Sequence, residues 1–244
     1  MKHKLKSFSI LEITIVIIVA SLIITALIFM QNLNKSTGIK ALIVQFSEYD
    51  RAIKQFYLKY NSLPGDTKST IDFKLSKTNT DGNDDGIIED AKGGINEFSG
   101  EVTNFWMHLG NSGFIEQNFD GAKNENAKIN TSFPASKIGD KTGVTVFGYQ
   151  GKNYYQIGIT GADKNRIILT DKSLKPSEAF GFDMMIDDGI PTTGRVVAAF
   201  GNKVNGINSD KNKKCAIDKE YKTNNNSPAC QIRIEFGITI TDAQ

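Results

Sequence analysis

One uninterrupted apolar run, Ile10 to Met30, constrains this 244-residue chain more than anything else in it. Its 21 residues carry a single charge, Glu12, and only Thr14, Ser21 and Thr25 are polar besides. As a helix rising ~1.5 Å per residue the run is about 31 Å long, which matches the hydrocarbon core of a bilayer. It is apolar on every side, so it requires lipid or complete burial in a bundle. Ahead of it lies a short tail with Lys2, Lys4 and Lys6. The positive-inside rule keeps that tail cytoplasmic and predicts export of everything after the run. A cleaved secretory signal has a shorter apolar region and a small-x-small site after it. Phe29-Met30-Gln31-Asn32-Leu33 offers no such site, and the first cysteine, Cys215, is far too late for a lipoprotein signal. A plain anchor has the right length but gives no reason for a carboxylate one turn inside the span, where charge is costly.

The stretch Ser7-Phe8-Ser9-Ile10-Leu11-Glu12-Ile13-Thr14-Ile15-Val16 resembles the N-terminal processing motif of type IV pilins and type II secretion pseudopilins. The resemblance covers about 25 residues and departs from the family pattern at Ser7, where glycine is usual. It implies that prepilin peptidase cuts between Ser7 and Phe8, that the new amino terminus is methylated, and that Glu12 is kept. It also implies a chain held in the inner membrane by a single pass, with its head in the periplasm. From there it would join other pilin-like subunits in a pilus or pseudopilus filament. In such a filament the acid of one subunit meets the amine of its neighbour. A charge pair in low dielectric is favourable only with both partners present, so Glu12 would set assembly register. The plain alternative for Glu12 is a carboxylate snorkelling to the headgroups. The alternative for the whole chain is a single-pass, membrane-anchored, calcium-binding adhesin or binding domain that never polymerises.

Past Met30 the pattern becomes amphipathic. Leu42, Phe46, Tyr49, Ile53, Phe56 and Tyr60 recur at steps of three and four, one stripe of a helix that covers a core. Gly38 is a point where that helix could bend, and Pro64-Gly65-Asp66 should stop it near Asn61. The chain therefore divides into a leader at 1–7, a long helix at 8–61 with its span at 10–30, and a head at 62–244. Residues 62–94 read as a long polar loop with one short strand at Thr70–Leu75. A helix is expected at Gly100–Ser112 and another opening at Pro176 that carries Ala179, Phe182 and Ile186 inward. Val144–Tyr149 and Tyr154–Thr160 form a hairpin turning at Gln150–Asn153, and further strands fall at Arg166–Thr170, Arg195–Phe200 and Gln231–Ile240. The fold class is α+β and pilin-like, an antiparallel sheet packed on the second half of the long helix.

Composition narrows the function. With 39% hydrophobic residues and 22 glycines the chain is ordinary globular material outside its span. A net charge of +2, with Arg at only Arg51, Arg166, Arg195 and Arg233, is not that of a nucleic-acid binder. Enzyme chemistry finds little to use, because His108 is the one histidine outside the leader and no nucleophile motif or phosphate-binding glycine loop accompanies it.

Asp81-Gly82-Asn83-Asp84-Asp85-Gly86 fits the first half of a calcium loop, in which alternate side chains aim oxygens inward. Lys92 stands where the twelfth-position glutamate belongs, and Glu89 sits at the ninth. Residues 81–101 hold seven acids and one lysine, a local charge of −6. Two readings stay open. Either Asp81, Asn83, Asp85 and Glu89 bind calcium, or the loop is simply solvated. Asp183, Asp187 and Asp188 read as a helix-ending turn. Cys215 and Cys230, the only cysteines, lie in the exported part and are expected to form a disulfide.

Overall fold

The structure, a computed structural model, describes residues 9–77, 80–93, 97–160, 169–171, 174–199 and 214–237. Its first element, α1, is a single helix of 51 residues from Ile10 to Tyr60, about 76 Å long at ~1.5 Å per residue. Asn61 ends it in the left-handed conformation, φ 51°, with its N–H donating to the Tyr57 carbonyl. Gly38 does not interrupt the helix. One glycine costs only about 1 kcal/mol relative to alanine, while Ile39 and Leu42 are buried just beyond it.

The two halves of α1 differ in surroundings. Ile10–Leu27 is exposed on every side and is long and apolar enough to cross a membrane. From Ile39 onward the stripe Leu42, Phe46, Tyr49, Ile53 and Phe56 is buried in the head.

That head is built on an antiparallel sheet. β1 (Ala135–Ser136), β2 (Gly139–Tyr149), β3 (Lys152–Thr160), β4 (Leu169–Asp171), β5 (Val196–Ala199) and β8 (Gln231–Glu235) pair in the order β1-β2-β3-β8-β5, with β4 also on β3. A separate ribbon joins β6 (Ala216–Ile217) to β7 (Glu220–Tyr221). β-Branched and aromatic residues alternate along the central strands, so Val144, Val146, Tyr155, Ile157, Ile232 and Ile234 share one buried face. That face meets α1 through Tyr155 against Phe46, ring centroids 5.0 Å apart. Two more helices, α2 (Gly100–Asn111) and α3 (Pro176–Ile186), add Trp106 against Tyr49 at 4.8 Å and Phe182 against Phe46 at 6.0 Å. Each of these buried side chains stabilises the head by about 1.5–3 kcal/mol.

Asp50 fixes the register of α1 on the sheet. Its Oδ1 accepts from the Tyr155 hydroxyl and the Gly237 N–H, both at 3.0 Å, and its Oδ2 pairs with the Arg195 guanidinium. Arg195 in turn donates through Nε to the Glu235 carbonyl at 2.8 Å, so one carboxylate ties the helix to β5 and β8 together. The outer edge of β5 is closed by the chain itself: Val196 N–H donates to Asp187 Oδ2 and Ala198 N–H to the Pro191 carbonyl.

Three expectations need correction. Thr70–Leu75 is a turn, not a strand: Thr70 and Leu75 are both buried, and the Leu75 N–H donates back to the Thr70 carbonyl at 2.8 Å. Thr70 gives its own N–H and hydroxyl to Asp81, which leaves no ladder for a strand to join. The β2–β3 hairpin is tighter than Gln150–Asn153, because only Gln150 and Gly151 form the loop, with φ of 52° and 76°. Two consecutive positive φ values match the twist of the flanking strands and leave Lys152 and Asn153 already paired. The last strand ends at Glu235; residues 238–240 of the expected strand, Arg166 and Phe200 lie outside the described residues.

Candidate functional site

The sequence points first to the start of α1. Ser7 and Phe8, the expected processing pair, lie outside the described residues. Ser9 is the N-cap, in extended conformation with φ −72° and ψ 146°. Its Oγ accepts from the Leu11 N–H at 3.3 Å, and the Glu12 carboxylate reaches back to accept the Ser9 N–H at 2.9 Å. This reciprocal pairing satisfies two of the donors that a helix start leaves without partners. It also holds a carboxylate where the helix dipole favours negative charge. Around it Ile10, Leu11 and Ile13 are exposed, so among the described residues Glu12 has only its own backbone for company.

The second region is the acidic loop, whose organisation comes from two carboxylates that motif reading missed. Asp66 and Glu101 are 1% and 7% exposed. Asp66 accepts the Gly86 N–H at 2.8 Å and the Asp85 N–H at 3.3 Å. Glu101 accepts the Asn83 N–H at 2.9 Å on one oxygen and the Glu89 N–H at 3.0 Å on the other. Amides between residues 83 and 89 thus face two buried carboxylates, one from the turn after α1 and one from the first turn of α2. Burial pushes Asp66 up to about 6 and Glu101 up to about 7, the backbone N–H donors opposing it and neighbouring acids adding to it. Asn153 clips the loop to the hairpin, accepting the Ile88 N–H and donating to the Gly86 carbonyl.

Asp81, Asn83 and Asp85 are exposed, and Glu89 is half-buried. Asp81 Oδ1 accepts from Thr70, Asp85 Oδ1 from the Ile87 N–H, and Asn83 and Asp85 bond one another. Among the described residues, the group of His, Cys, Asp or Glu that brings three ligand atoms within 4.8 Å of one another is Asp183, Asp187 and Asp188. Asp81, Asp85 and Glu89 are not brought together in that way. In the aspartate trio each carboxylate has local work. Asp183 accepts the Tyr221 hydroxyl at 2.7 Å and the Gly189 N–H at 3.1 Å. Asp187 accepts the Arg195 and Val196 amides, and Asp188 accepts the Ile190 N–H and the Thr193 hydroxyl at 2.7 Å each. Burial raises Asp183 to about 6. These residues end α3 and close the β5 edge.

His108 is fully buried on α2. Its Nδ1 accepts the Gly65 N–H at 2.9 Å, which assigns the ring proton to Nε2 and makes that nitrogen the donor to Thr80 Oγ1 at 3.1 Å. Burial pushes its pKa down to about 4, so at neutral pH it is an uncharged clamp between the turn after α1 and the acidic loop.

Cys215 and Cys230 are joined by a disulfide across 15 residues. It lies beside Leu174, whose N–H donates to the Cys230 carbonyl at 3.1 Å, so the bridge ties the β6–β7 ribbon to the start of α3 and to β8. A groove of about 570 Å³ runs between α1 and the α2–β1 connection, with Gln45, Glu48, Tyr49, Phe114 and Gln117 among its walls. No family model matches the chain, and neither a curated protein nor a solved structure matches it.

Proposed function

We propose that the chain is a structural subunit of a type IV pilus or type II secretion pseudopilus, non-enzymatic, processed by prepilin peptidase at Phe8. One observation carries the reading. A helix that is apolar and exposed all round for 18 residues, with its single acid at the start, continues unbroken into the core of a folded head. A lipid anchor alone has no use for that acid or for so rigid a connection. A filament has a use for both, since the exposed half needs neighbours and the buried half transmits position to the head. In this reading the head is exported to the periplasm and the partners are other pilin-like subunits.

Intact-mass and N-terminal analysis of the protein from membranes tests it. The expected chain starts at a methylated Phe8 and has 237 residues, 244 minus 7. A chain that still starts at Met1 or Lys2 in cells with the peptidase overturns the reading and leaves the anchored binding domain. Within the reading, Glu12→Ala should keep membrane insertion and lose filament incorporation. Leaving one partner of a buried pair costs about 3–5 kcal/mol, a factor of roughly a hundred to several thousand in association.

Calcium at the acidic loop is a separate proposal, resting on the charge of −6 over residues 81–101. Melting curves of the full chain in detergent, with calcium and with chelator, test it. A higher midpoint with calcium supports ligation through Asp81, Asn83, Asp85 and Glu89, and an unchanged one leaves the loop to Asp66 and Glu101 alone.

A further inference from the structure

Side chains alternate across a strand, so the residues between those that meet α1 line the opposite face of the sheet. On that face stand Phe147 and Tyr149 from β2, Tyr154 and Gln156 from β3, and Arg233 and Glu235 from β8. The register sets Arg233 opposite Gln156, and Tyr154 opposite both Phe147 and Glu235. Arg233 is 4% exposed, yet its Nε has no hydrogen-bond partner and it takes part in no ion pair among the described residues. Its guanidinium carbon lies 5.9 Å from the centre of the Phe147 ring and 5.8 Å from that of Tyr149. Tyr154 stacks on Phe147, centroids 5.7 Å apart. Glu235, two residues along the same face, is held by Lys152 at 2.9 Å. Burial pushes the Arg233 pKa down, and the groups that oppose this are Tyr154 and Tyr149, not an acid.

We propose that Arg233 and its aromatic wall form a binding site for a carboxylate carried by another molecule. An arginine side chain stays charged in a protein and presents its N–H donors as a planar fork. Ring faces attract that charge but give Nε–H no acceptor. A charge taken out of water costs more than it returns unless a counter-charge meets it. A carboxylate supplies both missing parts, the negative charge and oxygens that match the fork. Lys152, Glu235 and Arg233 together leave one net positive charge on this face, which balances one carboxylate and leaves a phosphate dianion half-compensated. The apolar span of α1 takes no part, so the site stands apart from the filament reading.

The test uses the full chain in uncharged detergent micelles with isotope-labelled arginine, because Arg51, Arg166, Arg195 and Arg233 are its only arginines. Arg233→Lys identifies the Arg233 Nε–H signal by its absence, and Phe147→Leu identifies it by the loss of a ring beside it. Sodium acetate should move that signal saturably, with half-saturation at roughly 10–100 mM, what one charge-assisted pair supplies. Acetamide, and sodium chloride at equal ionic strength, should not move it. Arg195, whose Nε already donates to the Glu235 carbonyl at 2.8 Å, should stay in place throughout. Inorganic phosphate should bind more weakly than acetate, and tighter binding of phosphate overturns the assignment to a carboxylate. An Arg233 signal that ignores acetate, or follows acetamide or chloride equally, overturns the proposal, whether the guanidinium is satisfied within the chain or stays bare.

Discussion

The two halves of α1 share one backbone and have opposite surroundings. Between Ile10 and Leu27 every side chain is exposed, and the helix packs against none of the other described residues. Between Ile39 and Phe56 one stripe is buried against a sheet and two helices while Lys40, Glu48, Arg51 and Lys54 remain exposed on the other faces. Helical geometry is the same in both. What differs is whether the apolar residues are continuous or spaced by three and four, and that decides whether the helix seeks a protein core or a solvent of its own. Truncating a side chain should therefore have consequences set by which half it occupies.

The largest effect is expected in the buried half. Phe46 contacts Tyr49, Tyr155 and Phe182, and Phe46→Ala should destabilise the head by about 3–5 kcal/mol, measured by denaturant unfolding of the chain in detergent. A loss under about 1 kcal/mol would mean that the head does not need α1.

Next comes the clamp that joins the exit of α1 to the acidic loop. His108 has a pKa lowered in the fold, so it binds fewer protons folded than unfolded. Its contribution is present above its unfolded value, about 6.5, and is lost as pH falls through about 4. It amounts to on the order of 3 kcal/mol. Asp66 and Glu101, both raised, act in the opposite sense and lose stability as pH rises through about 6 and 7. These windows overlap, and the two acids together outweigh the one histidine, so the three groups make measured stability fall on balance as pH rises from about 4 to about 7. His108→Gln should steepen that decline between about pH 4 and 6.5, because it removes the opposing trend.

A smaller effect is expected at Asp50, where Asp50→Asn keeps shape but loses the charge that binds Arg195. The cost should be about 1–3 kcal/mol, and Arg195→Gln in the same background should add no more than the loss of the Nε bond to the Glu235 carbonyl, about 1 kcal/mol, since both substitutions break the same ion pair. Near-additive losses would show that the register of α1 is held elsewhere. The smallest effect belongs to the exposed half. Ile17→Ala should change unfolding of the head by less than about 0.5 kcal/mol, because Ile17, at 61% exposed, lies outside the head's core. A larger shift would erase the contrast between the halves.

Local and periodic features are legible in the sequence alone. The apolar helix from Ile10, the stripe from Leu42 to Tyr60, both shorter helices and the hairpin follow from run length, spacing and turn residues within a few positions, and the disulfide from there being just two cysteines. The failures have a common cause. Thr70–Leu75 has strand-like composition, yet Asp81, eleven residues on, takes the Thr70 donors. The acidic motif drew attention to its own oxygens, while its amides are claimed by Asp66 and Glu101, 20 and 18 residues from the positions that they bind. No window centred on the motif contains those acids in any recognisable spacing.

What the sequence determined by itself was therefore which segments are helix, strand or turn, and which half of α1 packs against none of the other described residues. These depend on side chains a few residues apart, where chain geometry fixes the distances in advance. Only the tertiary structure decided that Asp50 registers α1 against β5 and β8, contacts of 145 and 187 residues' separation for Arg195 and Gly237. It also decided that buried Asp66, Glu101 and His108 hold the acidic loop. Whether a distant polar group finds its partner depends on how the whole core closes, and burial then makes the pairing obligatory, because an unmatched donor or carboxylate in the interior costs more than the bond itself contributes.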